Sequence, residues 1–189
     1  MRKLKSLMLY TALTLVANSL GAETDDIDAL LVGDMAKLII HSTPKHKNPV
    51  AFESENGAEM TLTDTNGKIR VVNFWATWCA PCRIEMPSLS KLQSELGSDT
   101  FEVITIASGV NNPAAMIRFF EEIGVDNLPL HKDPKQKLSR EFRILGLPAT
   151  VILDANSDEI ARFIGDTDWS SKDAIAVISN LILRETQAP

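Results

Sequence analysis

Cys79 and Cys82 are the only cysteines in the 189-residue chain, and two residues separate them. Thiols at that spacing can close a disulfide with each other, and the couple can exchange with cysteines of a second molecule. A purely structural cross-link would gain little here. In the chain-entropy account a disulfide stabilises mainly by restricting the unfolded chain, and so short a loop restricts it least. The run Trp78-Cys79-Ala80-Pro81-Cys82 stands where a long apolar stretch passes into a helical pattern. Cys79 therefore falls beside the unpaired amides and positive dipole end of a helix. A thiolate is stabilised there, so Cys79 is expected to attack and Cys82, one turn further in, to resolve the mixed disulfide.

The elements that must hold this pair are legible as an alternation. Residues 69–76 form a nearly continuous apolar and aromatic run, as in a strand covered on both faces. Residues 81–96 show helical spacing through Ile84, Leu89, Leu92 and Leu96, closed by Gly97 in the C-terminal position that glycine favours. Residues 59–63 alternate like an exposed strand before the Asn66-Gly67 turn, and 101–107 read as a second buried strand. A helix over 113–123 ends at Gly124. Beyond an extended 128–131, residues 135–142 read as a helix, 151–153 and 159–164 as a hairpin, and 170–183 as an amphipathic helix. Such an order predicts an α/β domain with a mixed central sheet flanked by helices. Upstream, 25–41 reads as a helix with an apolar stripe at Ile27, Leu30, Leu31, Met35 and Leu38, and 41–56 as a loop carrying Pro44 and Pro49.

Arg2, Lys3 and Lys5 precede a mainly apolar run over 7–17, and small or polar residues lead to Gly21-Ala22. This is a signal-peptide layout, cleaved near Ala22 or kept as an N-terminal anchor. The run is well short of the roughly 18 to 20 residues that span a bilayer. The chain thus divides into a leader at 1–22, an extension with a helix at 23–57, and a domain at 58–185. Losing the leader removes three of 19 basic residues and none of 25 acidic ones, so the net charge moves from −6 to −9. Nucleic acid is not an expected partner for so acidic a surface. The histidines, His41, His46 and His131, are scattered, with solvent-exposed or locally paired roles expected; two of them would be needed to complete a structural zinc site with the cysteines.

The segment Phe74-Trp75-Ala76-Thr77-Trp78-Cys79-Ala80-Pro81-Cys82-Arg83 resembles the active site of thioredoxin-like proteins, specifically the exported TlpA/ResA group. Glu85-Met86-Pro87 and Gly146-Leu147-Pro148-Ala149-Thr150 are similar to that group as well, and the resemblance runs from about residue 58 to 183. It implies a thioredoxin fold in which Leu147-Pro148 is a cis peptide facing the dithiol, leaving the Leu147 backbone to pair with an extended substrate segment. It makes Pro87 the proline that bends the active-site helix. Asn73 takes the place of the buried aspartate of ordinary thioredoxins, and Glu85 matches the position of an acid able to accept the proton of Cys82. Helical geometry keeps Glu85 on a face neighbouring both cysteines, while a solvated surface glutamate is the other reading. Trp75 is expected to shield the dithiol and Trp78 to border the docking surface.

The activity implied is thiol-disulfide exchange without a cofactor or metal. The expected role is that of a protein disulfide reductase in the periplasm or cell envelope, acting on cysteines of exported proteins, such as apocytochrome c or a copper-site protein. Its electrons would come from a donor in the membrane. Ala80 and Pro81 offer no charge or side-chain donor to Cys79, and a nearby Glu85 carboxylate opposes a second negative charge, so both favour a reductant. A Cu(I)-carrying metallochaperone, with Met86 as the one nearby soft ligand, and a redox-inactive docking module are the competing classes.

Overall fold

The apolar run of the sequence becomes the centre of the molecule. In the computed structural model, which describes residues 27–187, β4 (Ile69–Trp75) is buried at every position. β5 (Phe101–Ser108) lies parallel on one side and β7 (Ala149–Leu153) antiparallel on the other. Beyond β7 come β8 (Glu159–Ile164) and β1 (Ile39–Lys45). Beyond β5 come β6 (His131–Asp133), β2 (Phe52–Glu53) and β3 (Glu59–Met60). Among the described residues the sheet therefore has eight strands, in the order β1-β8-β7-β4-β5-β6-β2-β3. The leader read at 1–22 lies outside the described residues. Within them no helix is long and apolar enough to cross a membrane.

Alternation along β4 builds two cores. Ile69, Val71 and Trp75 pack in one layer with α2 (Ala80–Leu96), α3 (Pro113–Ile123) and α5 (Lys172–Gln187), through Met86, Leu89, Phe119, Phe120, Val177 and Ile178. Val72 and Phe74 point the other way, to Leu62, Val151 and Leu153 and to Leu138 and Phe142 around α4 (Lys137–Glu141). Arg70, fully buried within the apolar run, donates to the carbonyl oxygens of Leu62 and Asp154 and to Ser157 Oγ. This strand cation thereby fastens two turns that the sequence leaves unconnected, and the carbonyl dipoles offset much of its desolvation.

Several elements differ from the sequence reading. The helix expected over 25–41 is broken into α1 (Ile27–Leu30) and a 3₁₀ turn at Gly33–Lys37, because Gly33 takes a left-handed φ of 56°. The loop expected over 41–56 contributes β1 and β2 to the main sheet. β1 is an edge strand that is mostly exposed and carries Pro44, so it lacks the alternation by which strands are recognised. The strand expected over 59–63 stops at Met60, where Asp64 Oδ2 accepts from the Thr61 amide at 2.6 Å and turns the chain into a 3₁₀ segment. Gly97 has φ −53°, so its need is not for left-handed backbone; a Cβ there would collide with the Gln93 carbonyl. Gly124, by contrast, ends α3 at φ 68°.

Candidate active site

β4 delivers the chain to the dithiol at the N-terminal end of α2. Cys79 is the N-cap, and its Sγ accepts from the Cys82 amide at 3.3 Å. Cys79 and Cys82 are joined in a disulfide with their Cα atoms 5.3 Å apart. Both cysteines are buried, Cys82 completely and Cys79 with 4% of its surface left exposed. Pro87 lies inside α2 and leaves the Arg83 carbonyl without its helical donor. Leu147-Pro148 is a cis peptide. The register pairs Phe74 with Ala149, which sets that peptide beside the strand end leading to Cys79.

Glu85 is buried, 1% exposed, one turn beyond Cys82 on the same helix. Its Oε1 accepts from Trp169 Nε1 at 2.7 Å and its Oε2 from Asn73 Nδ2 at 3.0 Å. Asn73 also donates to Thr150 Oγ1 at 2.9 Å, across the Asn73–Thr150 register pair that joins β4 to β7. Ser88 Oγ accepts from the Trp169 amide at 3.0 Å, which holds the indole in place. Burial raises the Glu85 carboxyl; the donors Trp169 and Asn73 pull it back and the Asp166 charge pushes it up again, for a net value of about 7. A carboxyl titrating there can hold or release a proton at neutral pH, as acid–base chemistry at a thiol requires.

Exposed apolar side chains sit on the segments adjoining the dithiol in the chain, tied to its approach or leading to the cis peptide: Trp78, next to Cys79, is 71% exposed, Val110 89% and Leu145, two residues before Leu147, 99%. Asn111 Oδ1 accepts from the Thr77 amide and hydroxyl at 2.9 and 3.0 Å, so the loop bearing Val110 is tied to the approach to the dithiol. A shallow cavity of about 320 Å³ lies beside it, between Trp78, Arg83 and Phe119.

The sequence-predicted residues thus fall into one neighbourhood: Cys79 at the cap of α2, Cys82 and Glu85 within it, Trp78 just before the cap, and Leu147-Pro148 at the adjoining strand end. Trp75 is fully buried and stacks against Phe119 and Phe120, with ring centroids 4.8 and 5.2 Å away, in the same core cluster as both cysteines. The histidines stay outside this neighbourhood. His41 pairs with Glu159 and His46 with Asp158, both at 2.8 Å, and His131 Nδ1 accepts from the Glu55 amide. Sequence reasoning missed Trp169, and it named Thr150 within the 146–150 motif without giving it a role. Trp169 stands 84 residues from the carboxylate it binds, and its one local signal is a large aromatic in the polar stretch Asp166-Thr167-Asp168.

Comparison with known proteins agrees with this arrangement. The thiol:disulfide interchange protein HelX of Rhodobacter capsulatus is 36% identical over 115 residues, covering 58% of this chain and 61% of that protein. The thioredoxin-like protein YneN of Bacillus subtilis is 33% identical over 104 residues, 55% of this chain and 61% of its own length. The thiol-disulfide oxidoreductase ResA of the same organism is 29% identical over 103 residues, 54% and 56%. The chain spans about three fifths of the length of these curated relatives. Among solved structures, a secreted thiol-disulfide isomerase of Corynebacterium glutamicum superimposes with a TM-score of 0.66 at 23% identity, over 77% of this chain and 92% of that one. A DsbF homologue of Corynebacterium diphtheriae gives 0.64 at 24% identity, over 76% and 92%. Both share the thioredoxin-like fold, and the resemblance to the TlpA/ResA group is borne out by the relatives. Residues 41–159 match the model of the AhpC/TSA family, so the chain, with its Cys79–Cys82 disulfide on a thioredoxin-like sheet, belongs to that family.

Proposed function

We propose that this protein is a thiol-disulfide oxidoreductase that reduces cysteines of exported partner proteins, in the maturation of cytochrome c or of a copper-bearing oxidase. The observation that carries the reading is the cysteine pair itself, with Cys79 capping α2 next to the exposed Trp78 and Cys82 fully buried one turn further in. In the reduced protein the Cys79 thiolate attacks a disulfide of the partner, and the displaced partner sulfur leaves with the electron pair and takes up a proton. Glu85 accepts the proton of Cys82, whose thiolate then attacks Cys79 Sγ. The second partner sulfur is released reduced, and the Cys79–Cys82 disulfide closes. Two electrons leave per cycle, and a membrane donor returns them. Trp78 borders the bound partner segment, and the Leu147 backbone pairs with it. The names of the HelX and ResA relatives support this chemistry. The leader read at 1–22 supports a periplasmic or cell-envelope site.

The test is Cys82→Ala in the native cell envelope, with the resolving thiol gone. Mixed disulfides through Cys79 are expected to accumulate with cysteine-containing exported proteins and to vanish on treatment with dithiothreitol. An envelope without such adducts sinks the reading. The direction has its own measurement. Equilibration with a glutathione series is expected to place the couple nearer thioredoxin's roughly −270 mV than the roughly −120 mV of DsbA. A value at the oxidising end would assign the protein to disulfide formation.

A further inference from the structure

A cleft of about 780 Å³ opens on the sheet face away from α2, between β1, the 45–48 segment, α4 and Arg162 of β8. Lys45, Lys47, Lys137, Arg140, Arg143 and Arg162 line it, and Glu141 is the one carboxylate among its lining residues. This is a concentration of positive charge on a chain whose net charge is −6.

The acids nearby are already engaged. Buried Glu159 accepts from Arg162 through both oxygens, at 2.6 and 2.7 Å, lies 2.8 Å from His41 Nε2 and pairs with Lys47 Nζ at 3.1 Å. Asp158 pairs with His46, and Glu141 Oε1 accepts from the amide and side chain of Asn48, both at 3.0 Å. The side chains of Lys45, Lys137, Arg140 and Arg143 have no hydrogen bond or ion pair to any described residue. The Glu141 carboxylate, bonded only by neutral donors of Asn48, offsets one of these charges, and the remaining excess of cations around one cleft is self-repelling unless a further anion sits among them.

The backbone adds an independent observation. The Arg143 amide bonds the Arg140 carbonyl at 3.0 Å and the Ile144 amide bonds the Ser139 carbonyl at 2.8 Å, the paired bonds of a Schellman ending. Arg143 occupies its left-handed position at φ 52°, where glycine is strain-free. An arginine stands where the fold favours glycine, and its side chain lines the cleft.

We propose that this cleft binds a multivalent, phosphate-bearing anion through Lys45, Lys137, Arg140 and Arg143, met either as a free molecule or as the headgroup of an anionic lipid. The volume is that of a small-ligand site. Guanidinium forks match phosphate oxygens two at a time. Ile39 is the one apolar residue in the lining, so a docked polypeptide would find little to anchor it. The site makes no use of the dithiol and stands apart from the oxidoreductase reading.

Calorimetric titration of the full chain with inorganic tripolyphosphate should show saturable 1:1 binding. Arg143→Gly and Lys137→Ala should each weaken it about tenfold or more. Lys91→Ala, a charge removed from α2, and Cys79→Ser should leave it unchanged. Arg143→Gly should at the same time raise Tm, because glycine relieves the left-handed backbone, so weaker binding cannot be ascribed to unfolding. Sedimentation with phosphatidylglycerol vesicles, competed by tripolyphosphate and absent with phosphatidylcholine, marks a lipid headgroup as the source; tripolyphosphate binding without sedimentation marks a free anion. The proposal is overturned if tripolyphosphate does not bind saturably, if Lys91→Ala weakens it equally, or if a polyglutamate peptide binds where tripolyphosphate does not.

Discussion

Cys79→Ser is expected to bring reduction of a protein disulfide down to the uncatalysed background while the fold persists. A serine hydroxyl cannot form the mixed disulfide, and at neutral pH it is not ionised, so both nucleophilicity and the covalent intermediate are lost. The structure makes this a clean experiment. Cys79 is the N-cap of α2, its sulfur accepting from the Cys82 amide at 3.3 Å, and serine is among the preferred residues for that role. The lost cross-link closes a loop of minimal length, so its entropic contribution to stability is small. Insulin reduction and thermal melting of the reduced wild type and the variant separate chemistry from folding. A variant that keeps its melting temperature and its activity would show that Cys79 is not the attacking sulfur. Cys82→Ser, by contrast, should still form the first adduct and fail to release it.

The second large effect is expected at Glu85, and its sign depends on pH. The carboxyl is raised from an ordinary 4.5 to about 7, mainly by burial, with Trp169 and Asn73 pulling against it. The folded state therefore holds a proton that the unfolded chain releases between those two values. Stability linked to this group is fully present below about 4.5 and is lost as pH rises through 7. Glu85→Gln imitates the protonated form. It should change stability little at pH 4 and raise it by about 3 kcal/mol above pH 7, the value of a shift of this size. Denaturant melts across that range measure it, and a gain that stays flat with pH would mean that Glu85 does not titrate in this way. The same substitution should lower the thiol pKa values of the reduced protein, since a carboxylate near a thiolate disfavours the second charge, and should slow exchange for want of a proton acceptor. Thiolate absorbance of the reduced proteins against pH tests that arm. Curves that superimpose would separate Glu85 from the dithiol.

Much of this was written in the sequence because the signals are local. Helix, buried strand and cysteine pair are set by residues within a few positions of one another: the apolar run at 69–76, the spacing of Leu89 and Leu92, the two-residue gap between Cys79 and Cys82. Position between a strand and a helix also placed Cys79 at the helix N-terminus, where it caps α2. Edge strands carry no comparable signal. Residues 39–45 form β1 only because β8 supplies a partner, and on their own they resemble a loop with a proline.

The tertiary structure alone decided the surroundings of Glu85. Helical spacing placed it one turn from Cys82 but left open whether it faces water or the core. The answer came from Trp169 and Asn73, which donate to it from two other segments, and from Thr150, which accepts from Asn73 on a third. Desolvation is a property of what surrounds a group, so a raised carboxyl cannot be read from its own stretch of chain. The basic cleft is of the same kind. Lys45 and Arg143 are nearly a hundred residues apart, each an ordinary surface cation by itself, and the approach of β1 to α4 gathers them into one field.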